Sequence, residues 1–271
     1  MRPKKVYTKD NFDALLREHY PLKGSGATSE ELIKRLEGTN FYVDPASGRF
    51  HNNYPGGLVD HSVRVGRLAV EKVERALNGS YRYNMLRSDD VPYPLDDPEM
   101  MQQFKTETLV AGLIHDFCKI DSYAKPDVAT PKQIQYAKVL LQQSQIRGPD
   151  SMADTIRSGN ISKPACSDAI EFLKENPTAT ELPTFVEGYG YSDDKPFGHG
   201  EKSVIVALQM GFELTEDQIL AIRWHMCSWD IANIISGIQK VDFEKALNQS
   251  LMLKCIVCGD LETGFIYEPT L

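Results

Sequence analysis

Residues 109–120 read LVAGLIHDFCKI, an apolar run that contains a histidine and an aspartate. Residues 106–120 are apolar almost all round a helix, which predicts a central helix buried by its neighbours. An uncompensated charge in such a core costs several kcal/mol, so Asp116 should be paired or should bind a metal. Consecutive helical residues diverge by about 100 degrees, so His115 and Asp116 can both reach a metal at that edge of the helix. Lys119 follows on the same face.

Histidines and aspartates recur in the other apolar segments. Four of the six histidines, together with two aspartates, lie in or near the ends of predicted apolar helices. One histidine on an apolar face is usually a hydrogen-bonded core residue. Four histidines with two aspartates instead favour a shared divalent cation. The six residues are His61, His115, Asp116, His199, His225 and Asp260.

Apolar repeats at helical spacing recur along the chain with little strand signal, which predicts an all-α fold. The turn Tyr54-Pro55-Gly56-Gly57 sets the start of one helix, and Thr215-x-x-Gln218 is a capping box before another. The predicted helices cover residues 58–77, 106–120, 133–142, 165–174, 201–210, 215–226 and 242–261.

The length of 271 residues suits one domain spanning residues 1–271. We expect an N-terminal extension at 1–50 and a loop-rich helical insertion at about 121–197. Residues 85–99 are rich in Asp, Pro and Ser and predict a loop or a further insertion. The insertion follows directly after the His-Asp pair, so we expect it to form a lid or side wall that shapes specificity.

The order of a lone histidine, then His-Asp, then a distant aspartate on a helix resembles the HD-domain superfamily of metal-dependent phosphohydrolases. The first matching segment is most similar to HD-domain exoribonuclease and phosphodiesterase-like proteins. The resemblance implies an all-α HD-domain helical bundle. The matching segments are YPGGLVDH (54–61), LIHDFCK (113–119), GHGEKS (198–203) and RWHM (223–226).

The resemblance also implies a ligand set. His61, His115, Asp116 and Asp260 would hold one metal, and Asp116 would bridge to a second metal held by His199 and His225. The assignment of Asp260 as a ligand rests mainly on its position near the end of the last predicted helix. The local sequence Cys258-Gly259-Asp260 departs from the Ala-Asp of many relatives. Asp230 and Asp242 are the fallback candidates.

The implied cofactors are one or two divalent metals. Nitrogen and oxygen donors without a thiolate suit Mn, Fe, Co, Ni or Zn, and the family likeness favours Mn or Fe. The five cysteines are odd in number and lie mostly in apolar helical patterns, which indicates reduced thiols. Cys255-x-x-Cys258 lacks the second pair of a structural zinc site, so it is interpreted as a helical face.

The implied activity is hydrolysis of a phosphate ester of a nucleotide or nucleic acid by attack of a metal-bound hydroxide. Asp116 and Lys119 would be catalytic, and Lys119 would also contact a phosphate oxygen of the substrate. Arg64 and Arg223 are weaker candidates for that contact, and a solvated surface arginine is the favoured interpretation of each. One alternative is a catalytically silent HD module that binds a nucleotide or a protein partner. Another is the oxygenase chemistry that a few HD relatives perform at a di-iron site.

The formal net charge of -8 and a pI near 5.3 argue against binding duplex DNA, sequence-specific or not. A nucleotide or single-stranded nucleic acid held by local cations and a metal remains compatible with that charge, as does an oligomer. No apolar run approaches the ~20 residues that a membrane-spanning helix needs. No apolar segment follows the basic residues at the N-terminus, so we expect a cytoplasmic protein.

Overall fold

The structure, a computed structural model, describes residues 6–20, 26–48, 50–77, 97–124, 127–147, 151–183, 185, 188–192, 197–226 and 237–267. Helices dominate this part of the chain, which confirms the all-α prediction. None of the described helices is long and apolar enough to cross a membrane. The α-helices are α1 (Lys9–His19), α2 (Ser29–Glu37), α3 (Gly57–Leu77), α4 (Pro98–Ile114), α5 (Pro131–Gln143), α6 (Ser151–Ser158), α7 (Lys163–Glu175), α8 (His199–Gln209), α9 (Glu216–Trp224), α10 (Gly237–Gln249) and α11 (Leu251–Glu262).

The main hydrophobic core lies where α3, α4, α9 and α11 pack together. The axes of α3 and α4 approach closely at two glycines, since a Cβ on Gly112 would lie 2.6 Å from Gly66 Cα. Helices α1 and α2 contribute the fully buried Phe12 and Leu32 to the same core. The predicted N-terminal extension therefore supplies part of this core.

The central helix begins and ends earlier than predicted. It starts at Pro98, capped by the side chain of Asp97, and ends at Ile114. A short 3-10 helix, Phe117–Lys119, follows, and Asp116 between the two helices leaves α-helical geometry with φ −103 and ψ 20. The prediction that His115 and Asp116 lie inside one helix to residue 120 is thus wrong. Apolar periodicity continues through Phe117 and does not reveal where the backbone turns.

The last predicted helix, 242–261, is also wrong, because the chain breaks at Ser250 into α10 and α11. Ser250 is extended, and its hydroxyl accepts a hydrogen bond of 3.0 Å from the N–H of Leu253. Its own N–H closes α10 on the carbonyl of Ala246. Ser250 thus ends α10 and caps the start of α11. Because this one residue makes the break, the apolar repeat on either side continues across it.

The remaining predicted helices correspond to α3, α5, α7, α8 and α9. Thr215 caps α9 with its hydroxyl on the N–H of Gln218, which confirms the predicted capping box. Of the predicted loop at 85–99, residues 85–96 lie outside the described residues, and Pro98 and Glu99 begin α4.

A second hydrophobic cluster is formed by α5, α6 and α7 around side chains such as Ala137, Ile156 and Cys166. It belongs to the segment between Lys119 and His199. The ends of that segment meet in a two-stranded antiparallel ladder of β1 (Tyr123–Ala124) and β2 (Gly190–Tyr191), in which Tyr123 pairs with Tyr191. The role of 121–197 as an insertion stays a prediction.

Candidate metal centre

His61 lies one turn into α3, whose start is fixed by two glycines. Gly56 has φ +79, and a Cβ on Gly57 would lie 1.9 Å from the carbonyl oxygen of Asn52. Only glycine tolerates that approach, so the chain enters α3 with His61 fully buried. His61 Nε2 lies 3.3 Å from His115 Nε2.

His115 and His225 are held by the same device at the ends of two helices. His115 Nδ1 lies 2.7 Å from the carbonyl oxygen of Gly112 at the end of α4, and His225 Nδ1 lies 2.7 Å from that of Ile222 at the end of α9. Since a carbonyl only accepts, each Nδ1 carries the proton and each Nε2 presents a lone pair. A metal-binding histidine usually donates its other ring N–H to a carbonyl or a carboxylate in this way.

Asp116 is the centre of the cluster and is 2 % exposed. Its Oδ2 lies 3.3 Å from His61 Nε2 and 3.5 Å from His115 Nε2. Its Oδ1 lies 2.8 Å from His199 Nε2 and 3.6 Å from His225 Nε2. The two carboxylate oxygens thus face two different pairs of imidazoles, as the bridging role implied by the resemblance requires.

His199 is the first residue of α8, and Gly200 brings that helix against the end of α9. A Cβ at position 200 would lie 2.1 Å from the carbonyl oxygen of Arg223. This contact places the rings of His199 and His225 with centroids 5.4 Å apart. A glycine is therefore needed beside His199 for α8 and α9 to bring these two imidazoles together.

Asp260 on α11 completes the cluster, with Oδ1 3.1 Å from His61 Nε2 and 3.8 Å from His115 Nε2. The fallback Asp242 is exposed on α10 and lies 3.7 Å from Lys245 Nζ, and Asp230 lies outside the described residues. Gly259, before the ligand, packs against the backbone of α3, where its Cβ would lie 3.2 Å from Val65 O.

The donors fit a divalent cation. Burial lowers the pKa of His115 to about 3, and burial likewise lowers the pKa of His199 although Asp116 opposes the shift. Both imidazoles are therefore neutral near pH 7, the state that binds a metal. Three groups of donor atoms each lie within 4.8 Å of one another: His61, His115 and Asp116; His115, His225 and Asp260; Asp116, Cys118 and His199.

Asp116 stays ionised in this pocket. Burial alone would raise its pKa, but Lys119 and then His115 outweigh burial and hold the pKa of the Asp116 carboxyl well below its usual value. In the same way the pKa of Asp260 is lowered, since its contact with His61 outweighs burial. For His225, by contrast, burial would lower the pKa, but the side-chain contact with Asp116 and then the Asp116 charge outweigh burial and raise it. The two anionic carboxylates beside the buried imidazoles give the site negative charge, which a divalent cation complements.

Two side chains of the cluster were missed from the sequence. The thiol of Cys118 lies against His199, so the donor atoms that the fold brings together include a sulfur that the predicted nitrogen and oxygen set omits. The ring of His51 lies 5.0 Å from that of His61, and its buried Nε2 has no hydrogen-bond partner within the described residues. Cys118 follows an apolar run and looks like a core residue, while His51 stands in a polar loop that has no periodicity.

The three basic side chains that were predicted to contact the substrate lie in different surroundings. Lys119 is buried, and its Nζ donates to Asp116 Oδ2 at 2.6 Å. Arg64 is not a solvated surface residue: it is 8 % exposed and donates to both oxygens of Asp60, at 3.0 and 3.2 Å. Arg223 pairs with Glu201 at 2.5 Å and stacks over Trp224. Of these three cations, Lys119 contacts the candidate ligand Asp116 directly.

The Cys255-x-x-Cys258 pair lies on α11 with Cys255 buried and Cys258 exposed. Within the described residues, neither thiol belongs to a group of three candidate metal donors. The helical prediction for this pair is confirmed, because both cysteines lie in α11.

Comparison with known proteins gave no match: no family model, no curated protein and no solved structure is similar to this chain.

Proposed function

We propose that this chain is an HD-type metal-dependent phosphohydrolase that cleaves a phosphate ester of a nucleotide or a nucleic acid. The observation that carries the proposal is the convergence of all six candidate ligands on one buried cluster. They come from α3, the α4 end, α8, the α9 end and α11, and each has a donor atom within 3.8 Å of another member.

The chain's own residues prepare this cluster for cations. Asp116 offers one oxygen to the His61 and His115 side and the other to the His199 and His225 side. The hydrogen bonds to Gly112 and Ile222 fix two Nε2 lone pairs inward before any ligand arrives. When bound, divalent metals at such sites acidify a water for attack on phosphorus and neutralise charge on the phosphoryl oxygens.

Lys119 supplies a further positive charge beside the cluster. Burial would lower its pKa, but the contact with Asp116 outweighs burial, so the pKa of Lys119 is raised and the side chain stays charged. A fixed ammonium at this position suits the non-bridging oxygens of a phosphate, which carry negative charge. His51 Nε2, buried and without a hydrogen-bond partner in the described chain, offers a second polar contact on the His61 side.

The substrate class follows from charge and from the resemblance of the motifs. A net charge of -8 disfavours a long duplex, whereas a nucleotide or a single strand can be held locally by Lys119 and the cations. HD proteins with similar motifs act on such phosphate esters.

The test is metal content measured by elemental analysis on purified wild type and on His115→Gln and Asp116→Asn. Each protein is then screened with nucleotides and with a generic phosphodiester, and circular dichroism checks that each variant is folded. His19→Ala is the matched control, because His19 lies on α1 and contacts Glu18 instead of the cluster.

We expect bound metal and hydrolysis in wild type and His19→Ala, and loss of both in the two ligand variants. A folded wild type that neither binds Mn, Fe or Zn nor hydrolyses any of these esters would contradict the proposal. Bound metal without hydrolysis would instead favour the silent binding module, and turnover that requires oxygen would favour a di-iron oxygenase.

A further inference from the structure

Cys118 places a sulfur atom on the His199 side of Asp116. Its Sγ lies 3.1 Å from His199 Nε2 and 3.3 Å from His199 Nδ1, and the residue is 1 % exposed. The backbone N–H of Cys118 donates to Ser203 Oγ of α8 at 3.1 Å. This bond fixes the 3-10 helix against the helix that carries His199, so the thiol and the imidazole are held together by the fold.

A second observation at this place points to a ligand. His225 Nε2 is buried and has no hydrogen-bond partner among the described residues, and it faces Asp116 Oδ1 at 3.6 Å. Its Nδ1 is committed to Ile222, so the unpartnered atom is the one with the lone pair. A buried acceptor without a donor is costly, and a cation beside Asp116 would satisfy it.

We propose that Cys118 acts as a thiolate ligand, with Asp116, His199 and His225, of the metal on this side of the cluster, and that the sulfur makes this pocket prefer zinc, cobalt or ferrous iron to manganese or magnesium. The inference rests on the metal centre of the proposed function. It departs from the nitrogen and oxygen ligand set that the resemblance implies.

The separation of the two donors suits one ion once the imidazole turns. Metal–nitrogen and metal–sulfur bonds of about 2.0–2.1 and 2.3 Å place two donors on one ion about 3–4 Å apart, and Cys118 Sγ and His199 Nε2 are separated by 3.1 Å. Because Sγ is also 3.3 Å from His199 Nδ1, the sulfur lies over the ring, and rotation of the imidazole brings Nε2 and Sγ toward the same ion. On ligation the S–H bond breaks, the sulfur keeps the electron pair for the metal, and the proton leaves to solvent. Thiolates favour softer metals, whereas carboxylate and water suit manganese and magnesium.

The other side of the cluster has a different composition. His61, His115 and Asp260 offer only nitrogen and oxygen around the second oxygen of Asp116. A binuclear centre in this chain would therefore be asymmetric, with one sulfur-containing site and one site without sulfur.

The experiment is a titration of metal-free protein with cobaltous chloride under reducing, anaerobic conditions, followed by absorption spectroscopy. A thiolate ligand gives a sulfur-to-cobalt charge-transfer band in the near ultraviolet, beside the visible bands of any protein-bound cobalt. We expect both features in wild type, and loss of only the charge-transfer band in Cys118→Ser. Cys166→Ser is the matched control, because Cys166 is a buried cysteine of the second hydrophobic cluster.

The outcomes separate this inference from the proposed function. Visible bands of bound cobalt without a charge-transfer band in wild type would overturn the thiolate ligand and leave the metal centre intact. Absence of bound cobalt would overturn both. A charge-transfer band that persists in folded Cys118→Ser would assign the sulfur to another cysteine and also overturn the inference. Where Cys118→Ser does not fold, single serine variants of Cys166, Cys227, Cys255 and Cys258 assign the sulfur by elimination. A charge-transfer band that persists in all four supports Cys118, and its loss in any one of them overturns the inference.

Metal preference gives an independent readout. Wild type and Cys118→Ser are loaded in equimolar zinc and manganese, and the bound metals are measured. We expect the ratio of zinc to manganese to fall by about tenfold or more in Cys118→Ser, since even the partners of ligands alter metal affinity by about 10–100-fold. An unchanged ratio would contradict the assignment.

Discussion

Lys119 Nζ lies 2.6 Å from Asp116 Oδ2, and both side chains are buried. The lysine is therefore fixed by the carboxylate at the centre of the cluster. We expect Lys119→Met to retain bound metal but to lower kcat by about 10²–10³, the usual effect of removing one fixed donor from a developing negative charge. Steady-state kinetics with elemental analysis checks this. Lys105→Met, which removes a surface pair with Glu74, should behave as wild type, and full activity of Lys119→Met would contradict the role.

The His51 ring lies 5.0 Å from the ring of His61, and burial lowers the pKa of the His51 imidazole to about 3. The ring is neutral at working pH and can form one hydrogen bond with a bound phosphate ester. We expect His51→Ala to lower kcat/KM by about 10–100-fold, the equivalent of one hydrogen bond to a charged group, with metal content unchanged. Loss of metal in this variant would show instead that His51 supports the ligands.

Gly200 permits the contact between α8 and the end of α9. A methyl group at this position would meet Arg223 O, so we expect Gly200→Ala to lower the free energy of unfolding by about 1–3 kcal/mol and to weaken metal binding by His199 and His225. Thermal unfolding and cobalt stoichiometry measure both effects. Gly190→Ala is the control, because its Cβ would lie an ordinary 4.0 Å from Ala124 O. Equal stability of the two variants would count against this account.

Arg64 and Asp60 form a buried ion pair in α3, and Asp60 also accepts hydrogen bonds from Tyr54 Oη at 2.5 Å and Tyr7 N at 2.7 Å. Removing one partner of such a pair costs about 3–5 kcal/mol. We expect Arg64→Met to lower the unfolding temperature without raising KM in the folded protein. Arg75→Met, which breaks an exposed pair with Glu71 on the same helix, should have little effect. A rise in KM at unchanged stability would restore Arg64 as a substrate contact.

Asp44, which lies outside the cluster, makes the stability of the folded state depend on pH. Burial raises its pKa to about 7, the backbone N–H of Asp121 opposes the shift, and the Asp121 charge adds to it. The folded state therefore binds more protons than the unfolded state between about pH 4 and 7, so this contribution to stability declines as pH rises through that window. Asp44→Asn keeps an oxygen for Asp121 N–H and should gain stability relative to wild type from pH 5 to 8. Denaturant unfolding at both pH values tests the sign, and a constant difference would refute it.

The apolar repeat of 3.6 residues predicted α3, α5, α7, α8 and α9, because it reports burial directly. The predicted helices did not include α1, α2 and α6, although α1 and α2 also bury apolar faces. The repeat did not predict the breaks after Ile114 and at Ser250. Those ends are set by hydrogen bonds at single residues, and the apolar pattern continues through both.

At the cluster, residues such as His115 and Asp116 could be found because charge in an apolar helix requires a partner. Cys118 and His51 could not, since their contacts with His199 and His61 arise only from tertiary packing. For Arg64 a signal was present: Asp60 stands four residues before it on the same helical face.

The pairing of Tyr123 with Tyr191 brings together two points of the chain that flank the second hydrophobic cluster. The backbone leaves the histidine and aspartate cluster after Lys119 and returns to it at His199, and this two-stranded ladder joins the two ends of the segment between them. Segments whose ends lie side by side can be lengthened, shortened or exchanged during evolution with little disturbance to the rest of a fold. The helices that carry the six candidate ligands and the α5–α7 unit can thus accept changes in length independently of each other.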